Sequence, residues 1–498
     1  MRRRVARIAA GLSATLLLAA GLPVRAADAA WFESGDVQLR IDLQLLVDAG
    51  IIRVPVNHWP VPRAAVRYAL GNAKEHFALN GAVMDALARV RGRFAAPRSA
   101  LRFSATASGG QAALLRTFGT AGREDGELAA RVDWSSGRFA AGFTGTGVVD
   151  PADGHGLRAD GSHLTLQLGN WLLSANTLER FWGPSHESSL ILSNNARPMP
   201  TVMVERAEAR PFESRWLDWL GPWRFTFGIS RMEGERADID APLFMAWRVV
   251  VMPFSDIELG FSRTAQFCGE QLECNLDTFG NMLAGNDNVG IDATPENEPG
   301  NQMAGFDIRW MSPLGDWPYA VYAQYVGEDE SSYLPAKYLN QLGFEVWRPI
   351  GDGLVQAFAE YTSTTCSANS NRGPYYNCAY NQGQFNAEGY RYRGRVVGYT
   401  SDRDAENYAA GATYTGSNGE LWSLTARIAR LNRDDFGDVL NTVSAVPATY
   451  QALELGWRGR VRGDAVTVQL GAESLEPAGG KRDVEPFGFV RWQHDFAL

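Results

Sequence analysis

The chain has 498 residues, of which 45% are hydrophobic and 11% aromatic, with 52 Gly. Its 47 Lys and Arg face 56 Asp and Glu, a formal net charge of −9; without the five arginines of an N-terminal leader, 42 stand against 56, or −14. That balance argues against nucleic acid as a partner, because phosphate binding depends on clustered basic residues, and after the leader no stretch approaches the roughly 18 apolar residues of a membrane-spanning helix.

The leader comes first in the chain. Arg2, Arg3, Arg4 and Arg7 precede an apolar run from Ile8 to Leu22, and Val24-Arg25-Ala26 supplies small residues for cleavage. This predicts a secretory signal peptide over residues 1–26. Residues 27–96 then read as a small helical region. Asp36 can cap a helix carrying Leu39, Leu43 and Leu46 at helical spacing, with Gly50 to end it. Val61-Pro62 opens a second helix, and Asn80 can cap a third carrying Val83, Leu87 and Val90.

From Leu101 the hydrophobic period changes to two. Leu101, Phe103, Ala105 and Ala107 alternate with Arg102, Ser104, Thr106 and Ser108; Trp223, Phe225, Phe227 and Ile229 with Arg224, Thr226, Gly228 and Ser230. The same pattern returns around Ile257, Phe306 and Leu453 and ends the chain, where Val490, Trp492, His494, Phe496 and Leu498 oppose Phe489, Arg491, Gln493, Asp495 and Ala497. Period two means one apolar and one polar face per strand. Charged residues on the second face cannot enter a sandwich core without partners, whereas a water-lined lumen accommodates them. The expected fold is therefore an all-β, antiparallel outer-membrane β-barrel over residues 97–498, with 16 to 18 strands and the helical region on its periplasmic side. The content of 15 Trp, 16 Tyr and 24 Phe suits aromatic girdles at two membrane interfaces; a large soluble β-protein could share that composition.

Three long polar segments, near 266–302, 363–407 and 432–449, are expected as extracellular loops. The first two hold the four cysteines, as the close pairs Cys268/Cys274 and Cys366/Cys378. Four cysteines allow three pairings. Local pairing is favoured because each pair lies within its own segment, and an exported chain meets oxidising conditions. Neither spacing is CxxC and no histidine lies nearby, so no metal site and no cofactor is expected. Asn286, Asp287, Asn288 and Asp292 offer oxygens without the spacing of a calcium loop. Ser185-His186-Glu187 contains the residue types of a hydrolase, but sequence neighbours rarely face one another, and no enzyme activity is expected.

Arg180-Phe181-Trp182-Gly183-Pro184, running on through Ser188 to Pro198, resembles the Wzi-type capsule assembly family. So do Phe267-Cys268-Gly269-Glu270 with Cys274 and Leu276-Asp277-Thr278-Phe279, the run from Gly389 to Gly398, and the opening Leu39-Arg40-Ile41-Asp42-Leu43-Gln44. The resemblance implies an 18-stranded outer-membrane barrel with a helical bundle on its periplasmic side. It also implies a lectin-like role, holding capsular or related exopolysaccharide at the cell surface without making it. The expected partners are thus polysaccharide and outer-membrane lipid, with the protein a monomer. A porin or solute channel is the alternative that the polar inner faces suggest.

The residue types supply candidates. Aromatic faces stack on sugar C–H faces and Arg forks onto acidic sugar oxygens, so Arg180, Phe181 and Trp182, or Tyr375, Tyr376 and Tyr380 around Cys378, could contact saccharide. If Gly389 to Gly398 is a strand, Arg391, Arg393 and Arg395 share one face, and Tyr390 and Tyr392 the other. The plainer reading of these arginines is a set of lumen ion pairs with wall carboxylates such as Glu360 or Glu454.

Overall fold

The computed structural model describes residues 30–74, 81–95, 99–110, 113–119, 122–236, 239–270, 274–284, 301–312, 318–328, 330–331, 334–335, 337–368, 374–380, 388–434 and 441–497. The leader and the possible calcium ligands at 286–292 lie outside the described residues.

Eighteen antiparallel strands close into one barrel. In chain order they are β1 Ser99–Gly110, β2 Gly126–Ser136, β3 Phe139–Val149, β4 (Leu157–Arg158 with His163–Leu168), β5 Trp171–Asn176, β6 Thr201–Arg206, β7 Trp223–Arg231, β8 Leu243–Phe254 and β9 Ile257–Phe267. They continue as β10 Gln302–Ser312, β11 Tyr319–Gly327, β12 Lys337–Ile350, β13 Gly353–Ala368, β14 Glu406–Thr415, β15 Leu421–Leu431, β16 Ala448–Val461, β17 Asp464–Pro477 and β18 Asp483–Ala497. The two pieces of β4 count as one strand because both pair with β3. Closure comes from β18 lying against β1, from Phe487 opposite Gly110 to Ala497 opposite Ala100.

The two ends differ. At one end β2–β3, β8–β9, β12–β13 and β16–β17 are joined by two residues each. The last of these turns is Arg462-Gly463, with φ of 54° and 97°. A type I′ hairpin requires positive φ at both positions, which glycine adopts without strain. Connections at the other end are longer, among them 177–200, 232–242 and 432–447.

The alternation read from sequence sorts the side chains as expected. Phe261, Phe306, Trp310, Leu424, Leu453, Val490 and Trp492 are exposed on the outer wall, while Arg224, Thr226, Glu258, Asp307 and Arg309 are buried inside it. The Leu243 to Phe254 run is strand β8. Among the described residues no helix is long and apolar enough to cross a membrane; the chain crosses with strands.

The lumen is filled rather than open. Helices α1 Val37–Asp48, α2 Arg63–Gly71 and α3 Gly81–Gly92 precede the barrel. Asp36 caps α1, its Oδ1 accepting from the Leu39 amide at 3.1 Å. Leu39, Leu43 and Leu46 pack with Val54, Trp59 and Val90 into a core that reaches Trp347, Leu354 and Leu421 beside the short turns. A second core joins Trp182, Leu190 and Ile191 to Tyr380, Tyr390 and Tyr399 and to the wall residues Phe244, Met303 and Leu339.

Two expectations about loops change. Gly389 to Gly398 is not a single strand face: Arg391–Tyr392 pairs with Arg395–Val396 as a tight hairpin, turned by Arg393 and Gly394 at φ of 52° and 75°. Tyr390 and Tyr392 are both buried within the protein. The second long segment also does not project outward as a whole. Strand β13 takes its first residues, and residues 396–402 fold back into the lumen, with Ser401 and Asp402 fully buried.

Candidate functional site

The segment 177–200 connects β5 to β6, two strands of only six residues, and drops into the barrel. Phe181 and Trp182 pair as a short antiparallel ribbon with Trp59 and His58, and the Gly183 amide donates to the Asn57 carbonyl at 3.0 Å. Phe181 packs edge-on against Phe118, and Arg40 lies over both rings. Phe181 and Trp182 are 0% and 1% exposed. Neither offers a face to a ligand in this arrangement; both join the plug to the helical region.

Arg180 is buried beside them. It donates to the Leu178 carbonyl at 3.0 Å and to Asn176 Oδ1 at 2.6 Å. Burial pulls its guanidinium down to about 10, with Glu205 opposing. The next residues meet the wall. Ser185 Oγ donates to Glu360 at 2.8 Å, while His186 Nε2 contacts Glu345 at 2.7 Å and its ring stacks on Phe358. The His186 amide also donates to Glu360, at 2.6 Å, but the Ser185 and His186 side chains engage different carboxylates, and no nucleophile–base pair forms between them. Glu187 binds Arg427, which also holds Glu454 at 3.0 Å. Burial pushes the Glu187 carboxyl up despite that arginine.

The three arginines of the hairpin part company. Arg391 forms a fork on Asp402, at 2.8 Å and 3.2 Å. Thr442 adds bonds to the same carboxylate from its amide and hydroxyl, at 2.9 Å and 2.8 Å. Arg395 is half-buried near Arg123, and burial together with that like charge pulls it down to about 10. Arg393 stands at the turn, touching His155 Nε2 at 2.9 Å while its amide donates to Glu233. The expected pairing of these arginines with Glu360 or Glu454 is replaced by Asp402 for Arg391; Glu454 belongs to Arg427.

The tyrosines divide as well. Tyr380 is fully buried, its hydroxyl donating to the Leu190 carbonyl at 2.8 Å. Tyr375 is half-buried with Lys337 over its ring at 5.8 Å. Tyr376 is 37% exposed. The disulfide Cys366–Cys378 closes this segment and Cys268–Cys274 closes the other; both are the local pairings.

Sequence reasoning missed Arg123 and Arg197. Arg123 binds Glu179 at 2.7 Å and the carbonyls of Asn194, Asn195 and Ala196. Arg197 holds Asp160 at 2.8 Å and Asp153 at 2.5 Å. Nothing local marks either residue, because the partners lie 37 to 73 positions away. Among the described residues no group of His, Cys, Asp and Glu could hold a metal ion.

Three likenesses accompany this geometry. The family model described as capsule assembly protein Wzi matches residues 96–478. A 55.8 kDa protein from the cps region of Klebsiella pneumoniae is 30% identical over 461 residues, 92% of this chain and 87% of that one. The solved structure of Wzi, described as an Escherichia coli outer-membrane protein involved in group 1 capsule assembly and as a carbohydrate-binding β-barrel, superposes with a TM-score of 0.82. It is 25% identical, covering 94% of this chain and all of that one.

Proposed function

This chain belongs to the Wzi capsule assembly family and folds as its outer-membrane barrel, and from that premise we propose that it attaches capsular or related exopolysaccharide to the cell surface as a lectin, without catalysing its synthesis. The observation that carries the reading is the match across residues 96–478 joined to a lumen packed with side chains. The filled lumen favours holding a polymer over conducting a solute.

The helical region, beside the short turns, lies on the periplasmic side, and the longer connections face outward. That orientation follows the rule that turns on the periplasmic side of such barrels are short and extracellular loops long. Saccharide contact is then the work of groups at the outer rim, of which Tyr376 is exposed and Tyr375 and Arg393 are partly buried. Tyr376 and Tyr375, held in a loop closed by Cys366–Cys378, offer ring faces, and Arg393 offers a guanidinium for acidic sugar oxygens. Preorganised loops lose less entropy on binding. Arg180, Phe181, Trp182, Tyr380 and Arg391 serve by building the plug beneath.

Retention of the host's own polysaccharide by the purified barrel at low salt tests the reading. Binding is expected for the intact protein and a loss of about tenfold or more for Tyr376→Ala combined with Arg393→Ala, which together remove one stacking and one charge-assisted contact. No retention by the folded wild-type protein would sink it. In planar bilayers the same preparation is expected to stay electrically silent, and a stable open channel would favour transport instead.

A further inference from the structure

The connection 207–222, between β6 and β7, is long although it lies at the end of the short turns. It folds onto the outside of the barrel. Strand β6 pairs with β7 only from Thr201 opposite Ser230 to Glu205 opposite Thr226, so Trp223 lies beyond the last β6 pair. Its neighbour Arg224 is buried in the lumen, and alternation therefore turns Trp223 to the outer face. Phe212 of the connection stacks flat on that ring, 4.3 Å between centroids, and Arg206 lies over it at 3.9 Å. Beside them on the same outer face, Trp171 of β5 meets Phe225 edge-on at 6.1 Å. On the other side, Arg210 reaches over the Tyr68 ring of α2 at 5.2 Å.

This packing leaves the tip uncovered. Trp216 is 87% exposed, Trp219 63% and Leu217 41%. Such rings are poorly placed in water and well placed where a membrane meets it, since an indole has an apolar body and one polar atom. Here that atom is already satisfied, because Trp219 Nε1 donates to the Trp216 carbonyl at 3.1 Å. The backbone is satisfied as well. The amides of Leu217 and Asp218 donate to the Ser214 carbonyl, that of Leu220 to Leu217 and that of Gly221 to Asp218. Internal bonding of this kind is what a segment needs where water is scarce. The exposed charges of the tip balance, Arg210 and Arg215 against Glu213 and Asp218, so nothing in them selects an oppositely charged partner. The wall beside it is also short: β5 and β6 have six residues each, against roughly 9–11 for a strand that spans a bilayer. A short span is accommodated by flanking residues that reach the interface.

We propose that residues 212–220 form a foot that inserts Trp216, Leu217 and Trp219 into the phospholipid head-group boundary on the short-turn side of the membrane. It fastens the short-strand sector of the wall to the bilayer and, through Arg210 on Tyr68, the helical region with it. The foot stands on the lipid-facing wall and not on the saccharide contacts, so either reading can fail alone.

The full chain in nanodiscs of phosphatidylethanolamine and phosphatidylglycerol tests it, because both faces of the disc stay accessible. The four native cysteines are paired, so a nitroxide can be placed on Leu217→Cys and, as a control in another short turn, on Ser417→Cys. The label at 217 is expected to collide more with oxygen, which partitions into lipid, than with a water-soluble nickel chelate, and the label at 417 to show the reverse. Raising the salt should leave the 217 result unchanged, since the foot is held by apolar contact. Trp216→Ala with Trp219→Ala, both exposed positions, should keep heat-modifiable migration while trypsin cuts after Arg215 at least about tenfold faster, as two apolar side chains no longer hold the tip in lipid. A 217 label as open to nickel as the 417 label would overturn the foot. So would a label shielded from both reagents, which would mean a protein partner or second copy covers the tip. An unchanged cutting rate in the folded double variant would also overturn it.

Discussion

Asp402 sets the scale of what single residues do in the plug. Burial would raise its carboxyl, but the Arg391 charge and the two Thr442 bonds outweigh burial and hold it below its usual range. Removing one partner of a buried pair leaves the other charge uncompensated and typically costs about 3–5 kcal/mol. Asp402→Asn is therefore expected to loosen residues 388–404 while the barrel persists, read as new protease cuts in that segment without loss of heat-modifiable migration; an unchanged digestion pattern would refute it. At the rim, Asp153 is held down in the same way. Burial pushes its carboxyl up, but hydrogen bonds from Arg197 and the His155 amide, with the Arg158 charge, bring it down from 3.8 to about 2. A carboxyl depressed in the folded state stabilises fully above its ordinary value and loses that contribution as pH falls through the folded one. The clamp of Asp153 on Arg197 and Arg158 should thus hold at pH ~4 and open near pH ~2. Hydrogen exchange of residues 150–161 at the two pH values checks this, and equal protection at both would contradict it.

Elements show why some of the site was legible and some was not. Helix α1 announces itself through local signals, Asp36 as cap and Leu39, Leu43 and Leu46 at helical spacing, and strands announce themselves by period two. The disulfides are local too. What no local pattern carries is where a loop goes. The Gly389 to Gly398 run has the alternation of a strand, yet Arg393 and Gly394 turn it, and Asp402 then captures Arg391 from eleven residues away. The aromatic pair Phe181–Trp182 has the composition of a sugar platform, but its partner ribbon, His58–Trp59, lies more than a hundred residues earlier. Burial is decided by that pairing, which sequence spacing does not encode. A prediction follows for the plug as a unit. It has two stacked cores, one around the helices and one around Trp182 and Tyr390. Deleting residues 30–95 should leave the second core in place and the barrel still non-conducting; open channels in bilayer recordings would show that the helices alone close it.

The whole molecule separates two solvents with a single wall. Outside it, Leu424, Ile428, Leu453 and Leu455 form an exposed apolar patch on the paired strands β15 and β16. Inside the same two strands, Arg427 lies buried between Glu187 and Glu454. Adjacent residues on one strand thus obey opposite rules: Arg427 is stabilised by paired carboxylates, and its neighbour Ile428, 53% exposed, suits only hydrocarbon. That contrast was readable from alternation alone, because a strand gives each face every second residue; the strand number was not, since it depends on which long segments cross the wall. The contrast also yields a directional test. Arginine on the lipid face near the bilayer midplane costs about 2–4 kcal/mol. Leu424→Arg should therefore lower the folded fraction recovered in lipid vesicles by that free energy, and Leu424→Phe should not. In detergent-free buffer neither protein should remain folded and monomeric. If Leu424→Arg folded into vesicles as well as the wild-type chain, the outer wall assigned to lipid would be facing something else.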